Sequence, residues 1–479
     1  MRQLEPAKER QVKDFRTFLI DYEEAFPDQV IHIHQEVSAQ WEAAAIAVKT
    51  QKEMREPPVL VFHKVRTVDG ALSPWPVVMN VFATRKRCAY AVGLDCERLG
   101  REMHERREER VKPIVVSRED APVKEVVKTG EAINVRELPG LVHAGWDPGP
   151  YIPMGFLTTY DPDSGIDNCA LQRGWLYGPQ EIRVFPNASS HNAMNLKKYE
   201  DRGEDMRVAY WIGHHPAMYL GAGVKLRYPE SHWDATGGLI GEPLRLVPSE
   251  TLGDDFLVPA DAEFVIEGVI PRGERRPEGP FGEYTRYYGG QRLNPYMRVT
   301  CVTHRRNPHW FSEIIGGMDE GAGLGALRRE GAVYEVVSRC VPQVLNVYRP
   351  PSSPPHMYVQ MRKTHDSQPR SAILATLAAA NGSIKHVFVF DEDVDIFDEQ
   401  EVLWAIGSRT DWSRDVIVVP TMPATSLDPT ATGYATGTSA GLDCTKPCAP
   451  AVYEQRAFVP PEVMNRVNLA DFLPPAARR

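Results

Sequence analysis

Two glutamates stand five positions apart in the segment EGPFGEY, residues 278–284, with Gly279, Pro280, Phe281 and Gly282 between them. The glycines let the backbone approach a ligand closely, and the proline and phenylalanine stiffen the turn. Two carboxylates held close together resist double ionisation, so one is driven toward its protonated form at neutral pH. A neutral carboxyl of that kind can deliver a proton to carbon, as a decarboxylation requires once CO2 has left. A polar turn between strands is the competing reading.

Asn168 and Arg173 lie in IDNCALQRGW, and His191 follows in ASSHN. A guanidinium is permanently charged and pairs with a carboxylate at two points, so Arg173 could hold a substrate acid or polarise a catalytic glutamate. Asn168 and His191 are neutral oxygen and nitrogen donors of the kind that metals use. Taken singly, a capped turn, a surface arginine and a structural histidine explain them better. Three further clusters invite a metal reading. Cys444 and Cys448 have no second pair to complete a zinc site. Asp391, Asp393 and Asp395 have Ile396 where a calcium loop needs glycine, so a solvated strand end is expected. The pair His214–His215 has no partners at metal spacing and reads as ordinary β-domain sequence.

The elements that must position these residues fall into three blocks. The first is α/β: helical stretches over residues 13–24 and 38–53, strand-like runs at 59–62 and 77–83, and a charge-dense run at 101–112 expected to be a solvated helix or linker. From about residue 113 to 310, short strands punctuated by Pro- and Gly-rich turns (156–160, 208–212, 263–270, 297–304) suggest a barrel-like β domain. Beyond residue 316 helices at 324–338, 371–380 and 399–408 alternate with strands VLNVY, HVFVF and 416–420. The Thr-, Pro- and Gly-rich stretch 423–450 is expected to be irregular.

Bulk composition narrows the class. At roughly 150 residues per domain, 479 residues suggest about three domains. Hydrophobic residues at 42% and charged residues at 25% are ordinary globular values, and a net charge of −9 argues against a nucleic-acid partner. The charged opening MRQLEPAKERQ lacks the apolar core of a signal peptide, and no run of about 18 apolar residues occurs, so neither secretion nor a membrane span is expected. Seven scattered cysteines read as reduced thiols in the cytoplasm.

The motifs in their order resemble the UbiD family along nearly the whole chain. They are DFRTFLIDYE, PPVLVF, NVFATRKR, HAGWDPGPYI, Asn168 with Arg173, VPADAEFVIEG, EGPFGEY and VFVFDEDVDIFD. The resemblance implies an α+β, multidomain fold: an N-terminal α/β segment (1–112), a split β-barrel flavin-binding domain (113–315), and a C-terminal α/β oligomerisation domain with its tail (316–479). It implies prenylated FMN held by Asn168, Leu171, Gln172, Arg173, Ser190 and His191. A divalent metal, often manganese, would sit near the cofactor phosphate on Asn168, His191 and His232, with potassium beside it. Arg173, Glu278 and Glu283 would match the family's Glu-Arg-Glu network. Glu283 would be the proton donor, Arg173 would hold the substrate carboxylate, and Glu278 would orient Arg173. The cofactor would act as electron sink, and the protein would supply orientation and electrostatics.

Two positions depart from the family pattern. His232 stands where family members have a glutamate metal ligand, with Glu242 a nearby carboxylate at the wrong position. Ser439 stands where a lysine is expected near the phosphate, with Lys446 as a substitute. The expected activity is reversible, non-oxidative decarboxylation of an aromatic or heteroaromatic, or an α,β-unsaturated, carboxylic acid. Trp175, Tyr284, Tyr287 and Tyr288 near the motifs incline it to aromatic acids. CO2, a flavin prenyltransferase as cofactor supplier, and further copies of the chain (homodimer or homohexamer) are the expected partners. A split-barrel flavin oxidoreductase using ordinary flavin and reduced nicotinamide is the alternative, as is a non-catalytic relative that lost its metal through His232.

Overall fold

The helix α1 (Phe15–Ala25) opens the chain on a reciprocal cap: Thr17 N donates to Asp14 Oδ1 at 2.8 Å and Asp14 N to Thr17 Oγ1 at 3.0 Å. Phe15, Phe18, Leu19 and Tyr22, at helical spacing, form its buried face. The computed structural model describes residues 12–187, 190–317, 323–353, 355–425, 427–431, 436–448 and 452–472. Strand β1 (Val30–Ser38) runs parallel to β2 (Val59–Arg66), and Val77–Met79 and Trp310–Phe311 complete a four-stranded sheet. The last strand returns from the far end of the central region, so one hydrophobic core runs unbroken from Phe15 to Leu327. The expected helix over 38–53 starts at Glu42, because Ser38 still belongs to β1.

The charge-dense run is the expected helix over most of its length, but one face of it is interior. Its helix, Leu99–Glu108, buries Met103 and Arg107 and packs on the C-terminal helix Gly325–Cys340. Gly331 makes this approach close: a Cβ there would stand 2.3 Å from the Gly100 carbonyl oxygen. A helix lined with arginines can still be interior where the stems pack, and Arg107 keeps one bond there, from Nη2 to His104 Nδ1 at 3.2 Å.

The central sheet is antiparallel, ordered 151–152, 174–178, 181–184, 296–304, 264–270, 206–212, 156–160 and 167–171, with 126–129 pairing 296–304. It curls into an open half-barrel. Strand β3 (Asp167–Leu171) ends one side and β4 (Gly174–Gly178) lies next to the other end, yet only Gln172 and Arg173 join them. Three chain steps reach no more than about 11 Å, so the two sides of the seam are close and Arg173 sits between them. Helices α2 (His191–Arg202) and α3 (His232–Ile240) lie against the β3 side.

The C-terminal unit is a five-stranded sheet ordered 344–348, 356–361, 386–391, 436–444 and 416–423, with two cores of its own. The stretch 423–450 is irregular only in part: among its described residues Thr436–Cys444 is an interior strand pairing on both sides, while 427–431 and 445–448 lack regular structure. Its Gly441 is required because a Cβ there would meet Ile373 Cγ2 at 2.1 Å. Thr and Gly in that strand answer to helix packing, which composition does not reveal.

Candidate active site

Arg173 reaches from the seam to both glutamates of EGPFGEY. Its Nε donates to Glu278 Oε1 at 2.9 Å and its Nη2 to Glu278 Oε2 at 2.6 Å, while Nη1 donates to Glu283 Oε1. The guanidinium lies between the rings of Phe185 and Phe281, 4.4 and 4.9 Å from their centroids. Glu278 is fully buried and takes two more bonds, from Tyr151 Oη at 3.2 Å and Asn294 Nδ2 at 3.1 Å. Four donors on two oxygens leave no place for a carboxyl proton, so Glu278 is built as a carboxylate. Burial opposes the charge of Arg173, but the bonds from Glu278 and the charges of both glutamates outweigh it and raise its pKa. Burial beside Glu278 pushes the Tyr151 phenol far up, so it stays a neutral donor. Arg173, Glu278 and Glu283 thus form one buried network.

The turn carrying the glutamates is held as a small ladder. Arg276–Glu278 pairs with Arg292–Asn294, and Phe281–Gly282 pairs with Tyr288–Gly289. Gly279 adopts φ +84°, a conformation that favours glycine, and leads the chain from one ladder to the other. Asp147, from HAGWDPGPY, clamps the turn by accepting from Gly282 N at 3.0 Å and Ala144 N at 2.9 Å. Burial raises the Asp147 pKa against these amide bonds. Glu283 is 9% exposed, its N–H bonded to Tyr287 O at 2.9 Å. Gly289 leaves room for this carboxylate: a Cβ there would lie 3.3 Å from Glu283 Oε1, a tight contact that would press on it. Of the aromatic residues singled out in the sequence, Trp175 stacks on Tyr151 and Tyr288 on the exposed Trp146, whereas Tyr287 points to solvent.

A second group forms at the other end of β3. His191 is the first residue of α2 and His232 the first of α3, each behind a serine cap, Ser190 and Ser231. Asp167 accepts from the His232 backbone N–H at 2.8 Å, and Asn168 donates to Asn192, which Thr159 Oγ1 fixes at 2.9 Å. The strand end thus draws two helix N-termini together, a setting that favours an anion such as a phosphate. The imidazoles of His191 and His232 lie 6.3 Å apart. Burial, with His191 adding, drives the His232 pKa down to about 3, and burial with Lys225 lowers that of His191, so both are neutral. His232 Nδ1 is buried without a hydrogen-bond partner while Nε2 meets Val224 O at 3.3 Å. A buried, neutral, unpartnered imidazole nitrogen beside a second imidazole and Asn168 fits a metal at a phosphate end.

Several sequence expectations are revised. Glu242 follows the far end of α3, about 13 Å along the axis from His232, and pairs with Lys13 at 3.4 Å, so it cannot complete that group. Lys446 is tied to Asp393 at 3.0 Å and Ser439 is buried in its strand, so neither takes the place of the expected lysine. The aspartates are a solvated strand end in part: Asp393 and Asp395 are exposed, whereas Asp391 is buried, and Arg409 pairs with Asp391 at 2.9 Å and Asp393 at 2.8 Å. Leu171 is half-buried at the end of β3, and Gln172 is buried with its amide on Phe185 O. Cys444 accepts from Thr410 and lies in a hydrophobic core. His214 and His215 are buried, the latter capping the helix Pro216–Ala222. Sequence reasoning did not find Tyr151, Asn294, Phe185 or Asp147. Only Asp147, a turn-type aspartate between glycine-bounded residues, carried a local signal.

Comparison with known proteins gives this geometry a family. Models of the 3-octaprenyl-4-hydroxybenzoate carboxy-lyase N-terminal, Rift-related and C-terminal domains match residues 25–107, 114–318 and 323–444. The UbiD-class enzyme HmfF from Pelotomaculum thermopropionicum, solved with FMN, superposes with a TM-score of 0.89 at 32% identity, covering 96% of this chain and 100% of that one. An evolved dimeric form of it, solved with prFMN, gives 0.85 at 31%, with the same coverage. Anhydromevalonate phosphate decarboxylase from Methanothermobacter thermautotrophicus is 31% identical over 90% of this chain and 97% of its own. A phenolic acid decarboxylase from a Streptomyces species is 29% identical over 92% and 93%. With all three domain models matching in order, the chain belongs to the UbiD family of carboxy-lyases.

Proposed function

We propose that this enzyme is a prenylated-FMN-dependent decarboxylase that acts reversibly and without net oxidation on an aromatic or heteroaromatic, or α,β-unsaturated, carboxylic acid. The observation that carries the reading is Arg173, fixed at two points by Glu278 and offering Nη1 to Glu283. When bound, the prenylated flavin supplies an electron sink for the C–C bond to CO2. Arg173 holds the substrate carboxylate over the ring. Glu278, a permanent acceptor, stops the guanidinium from swinging away. Glu283 delivers the proton to the carbon that CO2 leaves, and takes a proton from that carbon in the carboxylating direction. Tyr151, Phe185 and Phe281 keep the site dry, which strengthens each of these charges.

Leu171, Gln172 and Ser190 join Asn168, Arg173 and His191 in holding the cofactor. Asn168, His191 and His232 bind a divalent ion, Mn2+ with K+ beside it, at the phosphate end. The exchange of a glutamate for His232 leaves that ion with one less negative charge. Exposed Leu403, Trp412, Phe458 and Phe472 on the C-terminal unit support a homodimer or homohexamer. Seven free thiols support a cytoplasmic setting, and among the described residues no helix is long and apolar enough to cross a membrane. A flavin prenyltransferase supplies the cofactor.

Purification from cells with and without a flavin prenyltransferase tests the reading. It expects an altered flavin spectrum and decarboxylation only in the first case. Activity with unmodified flavin and reduced nicotinamide, or no flavin bound in either, would overturn it.

A further inference from the structure

The N-terminal sheet carries a group of side chains that the decarboxylase site does not use. His32 and His34 are two apart on β1, so both project from one face of the sheet. Between Ile33 and Glu36 the pairing of β1 with β2 slips, which sets the extra residue of β1 opposite His63. The rings of His34 and His63 lie 4.4 Å apart at 12°, and those of His32 and His63 5.1 Å apart at 24°. His32 Nδ1 meets His63 Nε2 at 2.8 Å, and His32 Nε2 meets Glu23 Oε1 of α1 at 3.2 Å. β1 is the edge strand, and the His32 side chain is 39% exposed, so the group is open to solvent.

A contact between two imidazole nitrogens has one proton between two lone pairs. A divalent ion can take that proton's place. Tetrahedral coordination at about 2.0–2.1 Å puts ligand nitrogens about 3.3 Å apart, so the 2.8 Å contact need open by only about 0.5 Å. Glu23 on Nε2 keeps the His32 proton there and leaves Nδ1 as donor, the carboxylate–histidine arrangement that orients metal ligands. As they stand, the rings stack rather than converge, and no ready-made group of three such ligands exists among the described residues. A turn of the exposed His34 about its side-chain torsions supplies the third nitrogen, and water the fourth ligand.

We propose that His32, His34 and His63, with Glu23 behind His32, bind a divalent ion of imidazole preference, represented by Zn2+, apart from the Asn168–His191–His232 group. Imidazole clusters suit zinc, and here all three side-chain ligands are imidazoles, against two with an amide in the Asn168–His191–His232 group.

The test is Zn2+ titration of the metal-stripped full chain by calorimetry, with folding followed by circular dichroism. Wild type, His191→Ala, His34→Gln and His63→Gln are compared. The expected result is one Zn2+ equivalent that persists in His191→Ala and weakens at least tenfold in His34→Gln and His63→Gln, with Mn2+ content unchanged in the latter two. If His63→Gln does not fold, the exposed pair His32→Asn and His34→Gln gives the same reading. Equal Zn2+ affinity in wild type and the His34 variant, or loss of all Zn2+ in His191→Ala, overturns the site.

Discussion

Replacing Glu278 with glutamine tests the physics of the buried network. The side chain keeps its volume, loses its charge, and places an NH2 where one oxygen now accepts from two donors. Turned either way, the amide sets donor against donor, because Arg173 feeds both oxygens. Removing one partner of a buried ion pair costs about 3–5 kcal/mol, since the remaining charge is left underpaired in low dielectric. At about 2–4 °C per kcal/mol for a region of this size, the thermal midpoint should fall by about 6–20 °C. Differential scanning fluorimetry of the cofactor-free protein reads it without any contribution from flavin binding. The double variant Arg173→Met/Glu278→Leu should regain most of that loss, because an apolar pair of similar volume needs no desolvated charge. Its decarboxylase activity should nonetheless be absent. A fall of less than about 3 °C in the single variant would mean that the pair behaves as a solvent-screened one. The account of Arg173 as a rigidly held clamp would then be wrong.

Glu283→Gln should keep cofactor absorbance while losing turnover by at least about 1000-fold, within the range that proton transfer contributes; rates near wild type would remove Glu283 from the donor role. His232→Ala should lower bound metal by elemental analysis, whereas Glu242→Gln should leave it unchanged, and the reverse pattern would contradict the geometry at α3. Burial pushes the pKa of His214 to about 4 and of His215 to about 3, from an ordinary 6.5. Both are neutral when folded, so unfolding takes up protons at acid pH. Stability should be level above pH about 7 and fall as pH drops through 6.5 toward 4, each histidine costing about 2 kcal/mol at pH 5. A thermal midpoint that does not move between pH 7 and 5 would contradict this.

The scaffold was legible in its three blocks, which the three domain models match in order. Arg173, Glu278 and Glu283 were visible because a glycine-flanked glutamate pair and an arginine beside Asn168 keep their order and spacing. Tyr151 and Asn294 were not, because a lone tyrosine and asparagine on short strands carry no local mark. Only the curl of the sheet brings them to Glu278. The strand Thr436–Cys444 was misread because its Thr and Gly content looks like loop, while the need for Gly441 comes from Ile373 above it. The helix Leu99–Glu108 was misread for the opposite reason: its charge suggested solvent, yet Arg107 is interior and Gly100 meets Gly331. The histidine group that begins in IHIHQ drew no reading from the sequence, where only two of its members share one strand face. Its third member, His63, required the pairing of β1 with β2.

The central claim is that Arg173 and Glu283 together move a proton at a carbon that exchanges CO2. The most direct measurement is CO2-dependent deuterium incorporation into a panel of aryl and acrylic acids and their decarboxylated products, using cofactor-loaded wild type and Glu283→Gln. Wild type should incorporate deuterium into at least one decarboxylated product, at the carbon that bore the carboxylate, and the variant into none. Incorporation by both proteins at equal rates, or by neither across the panel, would contradict the account.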